Sequence, residues 1–343
     1  MHALPQLAAA AATLVIAFGA SAGAAEPTPS WLTPELAAAA KAEGGLSVYS
    51  SMNEQEGLPL WKLFESVTGV PVSYIRASDT QLLSRISIEA RAKQRSWDIT
   101  LSTAAVKIPT EFVAPVDLPE AAALMPEARS KDKRWHGVYA HFNAPAYNTK
   151  FVQPADLPRS LEEFAARKDL KGRVAIDSAD SQWLSAIFMH YGEERGRKLV
   201  NDIMTHLEPV LIDGHLQLAR AVASGEYHYA LTNYVSLTLN MKLSGAQTDY
   251  FGLDPTPLFF GSVAVNAQAP HPNAARLAAN FLISREGQEF SKQAGRIPVR
   301  ADVTPNPADA VTKLGERKVV TVVFAAEDEK KWQKTFQDIF RKK

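Results

Sequence analysis

The chain contains no cysteine among its 343 residues. Disulfides, thiol nucleophiles and thiolate metal sites are therefore excluded. It also lacks net charge, since 37 Lys and Arg balance 37 Asp and Glu. Without a basic surplus there is no footprint for nucleic acid or for an anionic membrane surface. There is no internal repeat and no long low-complexity linker. Hydrolase signatures are missing as well, with neither a Gly-x-Ser-x-Gly elbow nor a His-Glu-x-x-His helix. His136, His141, His190, His206, His215, His228 and His271 are scattered without a recognisable nucleophile beside them. The expectation is a protein that is not an enzyme and needs no cofactor, with a secreted hydrolase as the rival from another class.

One further absence is local. Residues 1–25 hold no Asp, Glu, Lys or Arg, and Leu4 to Ala20 is almost wholly apolar and alanine-rich. Small residues Ala22-Gly23-Ala24-Ala25 follow, and Glu26-Pro27 opens a polar region. This layout predicts a signal peptide over 1–25, cleaved near Ala24 or Ala25. A membrane anchor is the competing reading, but the segment is barely long enough to span. With no cysteine to carry a lipid, the mature chain is expected to be soluble, unanchored and outside the cytoplasm.

What is present begins with a repeated β–α pattern. Leu46-Ser47-Val48-Tyr49 reads as a buried strand that ends in Ser50, Ser51 and Asn53 and runs into a helix from about Glu54 to Val67. Val70 to Ile75 is a second strand, followed by Ser78 and Asp79 and a helix from Gln81 to Ala92. A third short strand, Trp97 to Leu101, ends in Ser102-Thr103. Three such units argue for an open parallel sheet with flanking helices, an α/β fold. Strand-to-helix turns leave free backbone N–H groups beside hydroxyls and a helix dipole, a setting that favours a polar or anionic ligand. Each hydroxyl can equally be a plain N-cap. Their recurrence at strand ends puts Ser50, Ser51, Asn53, Ser78, Asp79 and Thr103 on one rim, where ligands of such sheets collect.

Residues 109–135 are rich in Pro and Ala and read as a surface excursion. Trp135 to Asn148 reads as extended chain. A second β–α series opens at Gly172, with Asp177, Ser178 and Asp180 in the turn and Gln182 and Trp183 in the first turn of the next helix. Tyr227 to Asn233 alternates as a strand and runs into Tyr234. Leu258 to Val265 is a long apolar strand. A last amphipathic helix runs from about Asp328 to Phe340, its Trp332, Phe336 and Phe340 forming a core stripe.

In this order the motifs resemble a bacterial extracellular solute-binding protein of an ABC importer, in the branch with ferric-ion, thiamine, aminoethylphosphonate and hexose-phosphate binders. The resemblance is carried by Leu46 to Ser50, Phe64 to Val72, Ser96-Trp97-Asp98-Ile99, Ala146-Tyr147-Asn148-Thr149, Ala221 to Glu226, Ser284 to Gln288 and Gly295 to Arg300. It implies a type II periplasmic-binding fold: lobe 1 from 26–140 plus 263–343, lobe 2 from 141–262, and a cleft between them that closes by hinge motion. The extended stretches His141–Tyr147 and Phe259–Val265 are the expected crossovers. It further implies a periplasmic, monomeric protein whose partners are a small-molecule ligand and the permease and ATPase subunits of the importer.

Ferric binders of this branch carry adjacent tyrosines, which fall here on Val235 and Ser236, and a first-loop histidine, which falls on Asn53. Hard phenolate donors suit Fe(III), so their loss argues against direct iron coordination. The expected ligand is a small polar or anionic organic solute, held by Ser50, Ser51, Asn53, Ser78, Asp79, Thr103, Asp177, Ser178, Trp183, Asn233 and Tyr234, with no metal. Arg76 is available as a counter-charge for an anion, while the carboxylates leave a zwitterion or polyol open. Iron or an iron chelate is the alternative, and a ligand-sensing role is a third.

Overall fold

The computed structural model describes residues 29–315, 317–323 and 326–340; the expected leader over 1–25 lies outside the described residues. Along the chain run α1 (Pro34–Glu43), β1 (Leu46–Ser50), α2 (Glu54–Thr68), β2 (Val72–Arg76), α3 (Asp79–Arg91), β3 (Ile99–Ser102), β4 (Val113–Ala114), β5 (His136–Phe142) and β6 (Ala146–Asn148). Then come α4 (Leu161–Ala166), β7 (Val174–Asp177), α5 (Ser181–Tyr191), α6 (Glu193–Leu207), β8 (Val210–Ile212), α7 (His215–Ser224), β9 (Tyr229–Ala230), α8 (Val235–Leu243) and β10 (Thr248–Tyr250). The chain closes with β11 (Thr256–Asn266), α9 (Pro272–Ile283), α10 (Arg285–Gln293), β12 (Ile297–Pro298), β13 (Val319–Thr321) and α11 (Ala326–Phe340).

Local chemistry explains the element ends. Asn53 caps α2 through its side chain, and the helix buries Leu60, Trp61, Phe64 and Thr68 along one stripe. It stops at Gly69, whose φ of 69° is left-handed. Ser78 caps α3 in a reciprocal capping box with Gln81. The Pro- and Ala-rich stretch 109–135 forms short 3₁₀ turns and β4.

Two sheets result. The first has the order β12-β5-β11-β3-β1-β2, with β4 and β13 also paired to β11. Its β1, β2 and β3 are parallel, as the three β–α units predict, while β11 runs antiparallel to both β3 and β5. The second has the order β10-β6-β9-β7-β8, in which β7 is parallel to β8 and β9. Each sheet has its own core. Trp31, Phe64 and Phe281 meet beneath the first, and Phe164, Tyr229 and Phe251 beneath the second.

The chain passes between the sheets twice, at 143–145 after β5 and at 251–255 before β11. Residues 256–262, which the sequence reading assigns to the second lobe, pair within the first sheet. Helix α11, which it assigns to the first lobe, packs instead on α5 and α6 beside the second sheet. Its Phe336 and Phe340 stack at 4.3 Å inside the second core. Lys107, just past β3, forms an ion pair with Glu329 on this helix and so ties the two units together. Among the described residues no helix is long and apolar enough to cross a membrane.

Candidate functional site

The parallel strands of both sheets end towards the two crossings, and the polar turns of the sequence reading sit at those ends. In the first sheet Ser50 is fully buried: its Oγ donates to the Leu101 carbonyl at 2.9 Å and accepts the Met52 N–H at 3.0 Å. Ser51 is half-buried and its N–H donates to the same carbonyl. The Asn53 side chain is engaged with Glu56, accepting its N–H at 3.0 Å and donating to Oε1 at 2.6 Å. Ser78 is exposed and used in the capping box. Asp79 accepts from the Ser102 hydroxyl and, at 2.7 Å, from Thr103 Oγ1, so it clamps the β2–α3 turn to the end of β3.

In the second sheet Asp177 ends β7 almost buried, its Oδ1 accepting the Ala179 N–H at 2.9 Å. The Ser178 hydroxyl lies 3.4 Å from Asp213 Oδ1. Trp183 is buried edge-on against Phe340, in the core. Asn233 is fully buried, with its Nδ2 on Thr238 Oγ1 at 3.2 Å and its Oδ1 accepting the Tyr234 N–H at 2.9 Å. Val235 and Ser236, where a ferric tyrosine pair would fall, are buried in the first turn of α8.

Tyr234 is where the two halves meet. Its ring packs against His215 with centroids 4.0 Å apart and planes tilted by 33°, and against His141 at 4.5 Å and 32°. His141 in turn meets Tyr139 edge-on at 5.2 Å, and the Arg296 guanidinium lies 4.7 Å over the Tyr139 ring. Arg296 donates to Glu56 Oε2 at 2.8 Å from Nε and 2.7 Å from Nη2. Asn143, in the first crossing, donates from Nδ2 to Asp180 Oδ2 at 2.7 Å. Asp180 caps α5 with its other oxygen, at 3.1 Å from the Trp183 N–H, and lies 3.9 Å from His215 Nε2. Of the predicted residues, Asp79, Asp177 and Tyr234 share this region electrostatically. Tyr139, His141, Asn143, Asp180, His215 and Arg296 join them outside the predicted ligand set. The available signal was the 141/143 alternation, which puts His141 and Asn143 on the same side of an extended chain.

Several buried polar atoms of the cluster have no partner: His141 Nδ1, Asn143 Oδ1, His215 Nδ1 and, in the first turn of α8, Ser236 Oγ. Buried polar groups are normally paired, so each such atom requires a reason. Burial dominates the titration. It raises the Tyr234 phenol well above its ordinary value, with Asp180, Asp79 and Asp177 adding to the rise. Burial pushes Tyr139 up to about 12 despite Arg296 nearby. Asp177 is raised by burial, against the pull of His215 and with the push of Asp180. His141 is held well below its ordinary value by burial, then by Arg296 and His215.

The last shift predicts a pH effect with a definite sign. A His141 that stays neutral when folded gains its proton only on unfolding, so its contribution is intact above about pH 6.5 and is lost as pH falls below it. His136, lowered by burial, acts in the same direction. Melting temperature is expected to drop from pH 7 to pH 5, each such histidine contributing at most about 1.4 kcal/mol per pH unit. His141→Gln should flatten this slope. Parallel melting curves for variant and parent would contradict the assignment.

Among the described residues, no group of three or more His, Asp or Glu is placed to hold a metal ion. The fold is shared with solved structures. Iron-bound HitA from Pseudomonas aeruginosa superposes with a TM-score of 0.74 at 21% identity, over 85% of this chain and 99% of that one. The periplasmic binding protein AfuA from Actinobacillus pleuropneumoniae, with fructose-6-phosphate bound, gives 0.72 at 18% identity over 87% and 99%. An Fe(3+)-binding periplasmic protein of Serratia marcescens is 24% identical over 268 residues, 74% of this chain and 78% of that protein. The sequence profile of the bacterial extracellular solute-binding proteins matches residues 107–322. The chain therefore belongs to the bacterial extracellular solute-binding protein family, the substrate-capturing components of ABC importers.

Proposed function

We propose that this protein captures a small polar organic solute in the periplasm, between the two sheets, and hands it to the permease and ATPase of its importer. It acts as a monomer and without catalysis, freed of its leader and carrying no lipid. The two sheets are the cores of two lobes, the crossings at 143–145 and 251–255 are the hinge, and α11 travels with the second lobe. The observation that carries the reading is the set of unpartnered buried atoms on His141, Asn143 and His215, which stand around Tyr234 at the junction of both units. A solute with donors and acceptors would satisfy them, and water would serve in its absence. Ser51, Asp79, Thr103, Asp177 and Ser178 frame the cleft, while Ser50, Asn53, Ser78, Trp183 and Asn233 hold the frame's shape.

The test is a thermal-shift screen followed by titration calorimetry, since a ligand selective for the folded state raises its stability by RT ln(1 + [L]/Kd). Tyr234→Phe combined with Asn143→Ala is expected to weaken the solute found by about tenfold or more, from hydrogen bonds worth roughly 0.5–1.5 kcal/mol each. Unchanged affinity in a folded double variant overturns the site.

Iron is the second reading, favoured by Tyr234 standing among carboxylates and imidazoles and by the similarity to a relative named as an Fe(3+)-binding periplasmic protein. It requires a visible phenolate-to-iron band on adding ferric nitrilotriacetate, abolished by Tyr234→Phe. A colourless mixture leaves the organic solute.

A further inference from the structure

The cleft carries more negative than positive charge. Asp180 and Asp177 from the second unit and Asp79 from the first all act on the Tyr234 phenol. Of the cationic groups that bear on these residues, Arg296 is already engaged through two nitrogens with Glu56, and His215, 3.9 Å from Asp180, carries charge only when protonated. Arg76, the counter-charge that a purely anionic solute would call on, stands exposed at the end of β2. Carboxylates alone do not define a site, but Asn143 supplies an independent observation. The residue is 2% exposed and donates from Nδ2 to Asp180, while its Oδ1 is buried without a partner. An amide oxygen can only accept. The group that completes it is a donor, and the charge that the surrounding carboxylates favour is positive. A phosphate or carboxylate in the same place would meet an acceptor and like charges.

Resting on the reading that the cleft takes a solute, we propose that it takes a small primary amine, ammonium end first, with an N–H donated to Asn143 Oδ1 and the charge balanced by Asp180, Asp177 and Asp79. His141 fits this arrangement: held neutral, it adds no competing cation. The His141, Tyr234 and His215 rings, packed face to tilted face, then wall the ammonium group without neutralising it.

The experiment titrates the intact chain with 1,4-diaminobutane and 2-aminoethanol, with 1,4-butanediol and 1,2-ethanediol as uncharged counterparts. Sodium phosphate, citrate and ferric nitrilotriacetate complete the series. At least one amine is expected to bind ten times or more tighter than its diol, with affinity falling as salt rises. Asp180→Asn, which keeps the helix cap, should weaken the amine by about tenfold or more, because hydrogen bonds to charged groups are the stronger class. Asp177→Asn provides a second variant should the first melt early. Absence of binding by both amines overturns the proposal, as does equal binding of diol and amine. Phosphate, citrate or iron binding that is lost in Tyr234→Phe overturns the amine and leaves the cleft standing. Binding of every active probe undiminished in Tyr234→Phe and Asn143→Ala removes the cleft reading itself.

Discussion

Gly261→Ala is expected to destabilise the fold by about 3 kcal/mol, at the upper end of what overpacking a core usually does. Gly261 lies in the middle of β11, directly across from Tyr139 of β5. A Cβ at this position would stand 2.1 Å from Tyr139 Cζ and 2.6 Å from its hydroxyl oxygen. The ring has little room to retreat, since it is 2% exposed, covered by Arg296 at 4.7 Å and met by His141 at 5.2 Å. Either the two longest strands of the first sheet separate, or the ring leaves the cluster. Thermal melting would show a fall of roughly 4–6 °C, at about 1.5–2 °C per kcal/mol when unfolding entropy scales with the length of this chain. The cause can be isolated by a cycle. In a Tyr139→Ala background the added methyl meets no ring, so Gly261→Ala should be close to neutral there and the coupling should approach the whole single-variant effect. A Gly261→Ala protein melting within a degree or two of the parent would show that the ring moves freely.

Much of the fold was legible for a physical reason. The β1–α2 and β2–α3 units have strict local signals, namely apolar strand residues, polar caps at Asn53 and Ser78 and Gly69 at a helix end, whereas the third strand runs into a 3₁₀ turn rather than an α-helix. Helix α11 was readable from Trp332, Phe336 and Phe340, but its location was not. Amphipathic spacing states that a face is buried and says nothing of what buries it, and here the covering surface is α5 and α6 beside the second sheet. Which turns gather at the strand ends was legible, and which of their polar atoms stay free there was less so. Hydroxyl and amide residues at strand ends were expected to face a ligand, yet Ser50, Asn53, Ser78 and Asn233 spend their polar atoms on neighbouring backbone and side chains. The same chemistry that suits a ligand suits a cap, and for Asn53, Ser78 and Asn233 nearby backbone wins because reaching it needs no loop closure, while Ser50 is taken by the carbonyl of the adjacent strand. Asn143 and His215 were hidden for the opposite reason. Asp180 reaches Asn143 only because the first crossing runs past the start of α5. Tyr234 reaches His215 only because the starts of α7 and α8 come together within the second unit.

Asp98→Ala is expected to be the most damaging single change away from the cleft, at about 3–5 kcal/mol, the range for stranding partners of a buried charge. Asp98 is 0% exposed and its carboxylate holds three donors from distant parts of the chain. Oδ2 accepts the Ser47 N–H of β1 at 2.7 Å and faces His271 Nδ1 at 2.9 Å, while Oδ1 accepts the His271 N–H at 2.7 Å. The backbone of Asp98 is equally committed, donating to Ser47 and accepting from Asn266. One side chain thus fastens β1 and the start of β3 to the N-terminus of α9. Seen from the sequence, Ser96-Trp97-Asp98-Ile99 is a family motif without an assigned role; the geometry gives it a structural one. Three substitutions separate the contributions in urea unfolding. Asp98→Ala strands two backbone donors as well as the imidazole. Asp98→Asn keeps the shape and offers one accepting oxygen, so it should fall between, at roughly 1.5–3 kcal/mol. His271→Ala removes one contact but leaves both backbone bonds, and should be the mildest of the three. If His271→Ala unfolds as early as Asp98→Ala, the ion pair rather than the backbone junction carries the stability, and the ordering argued from these distances is wrong.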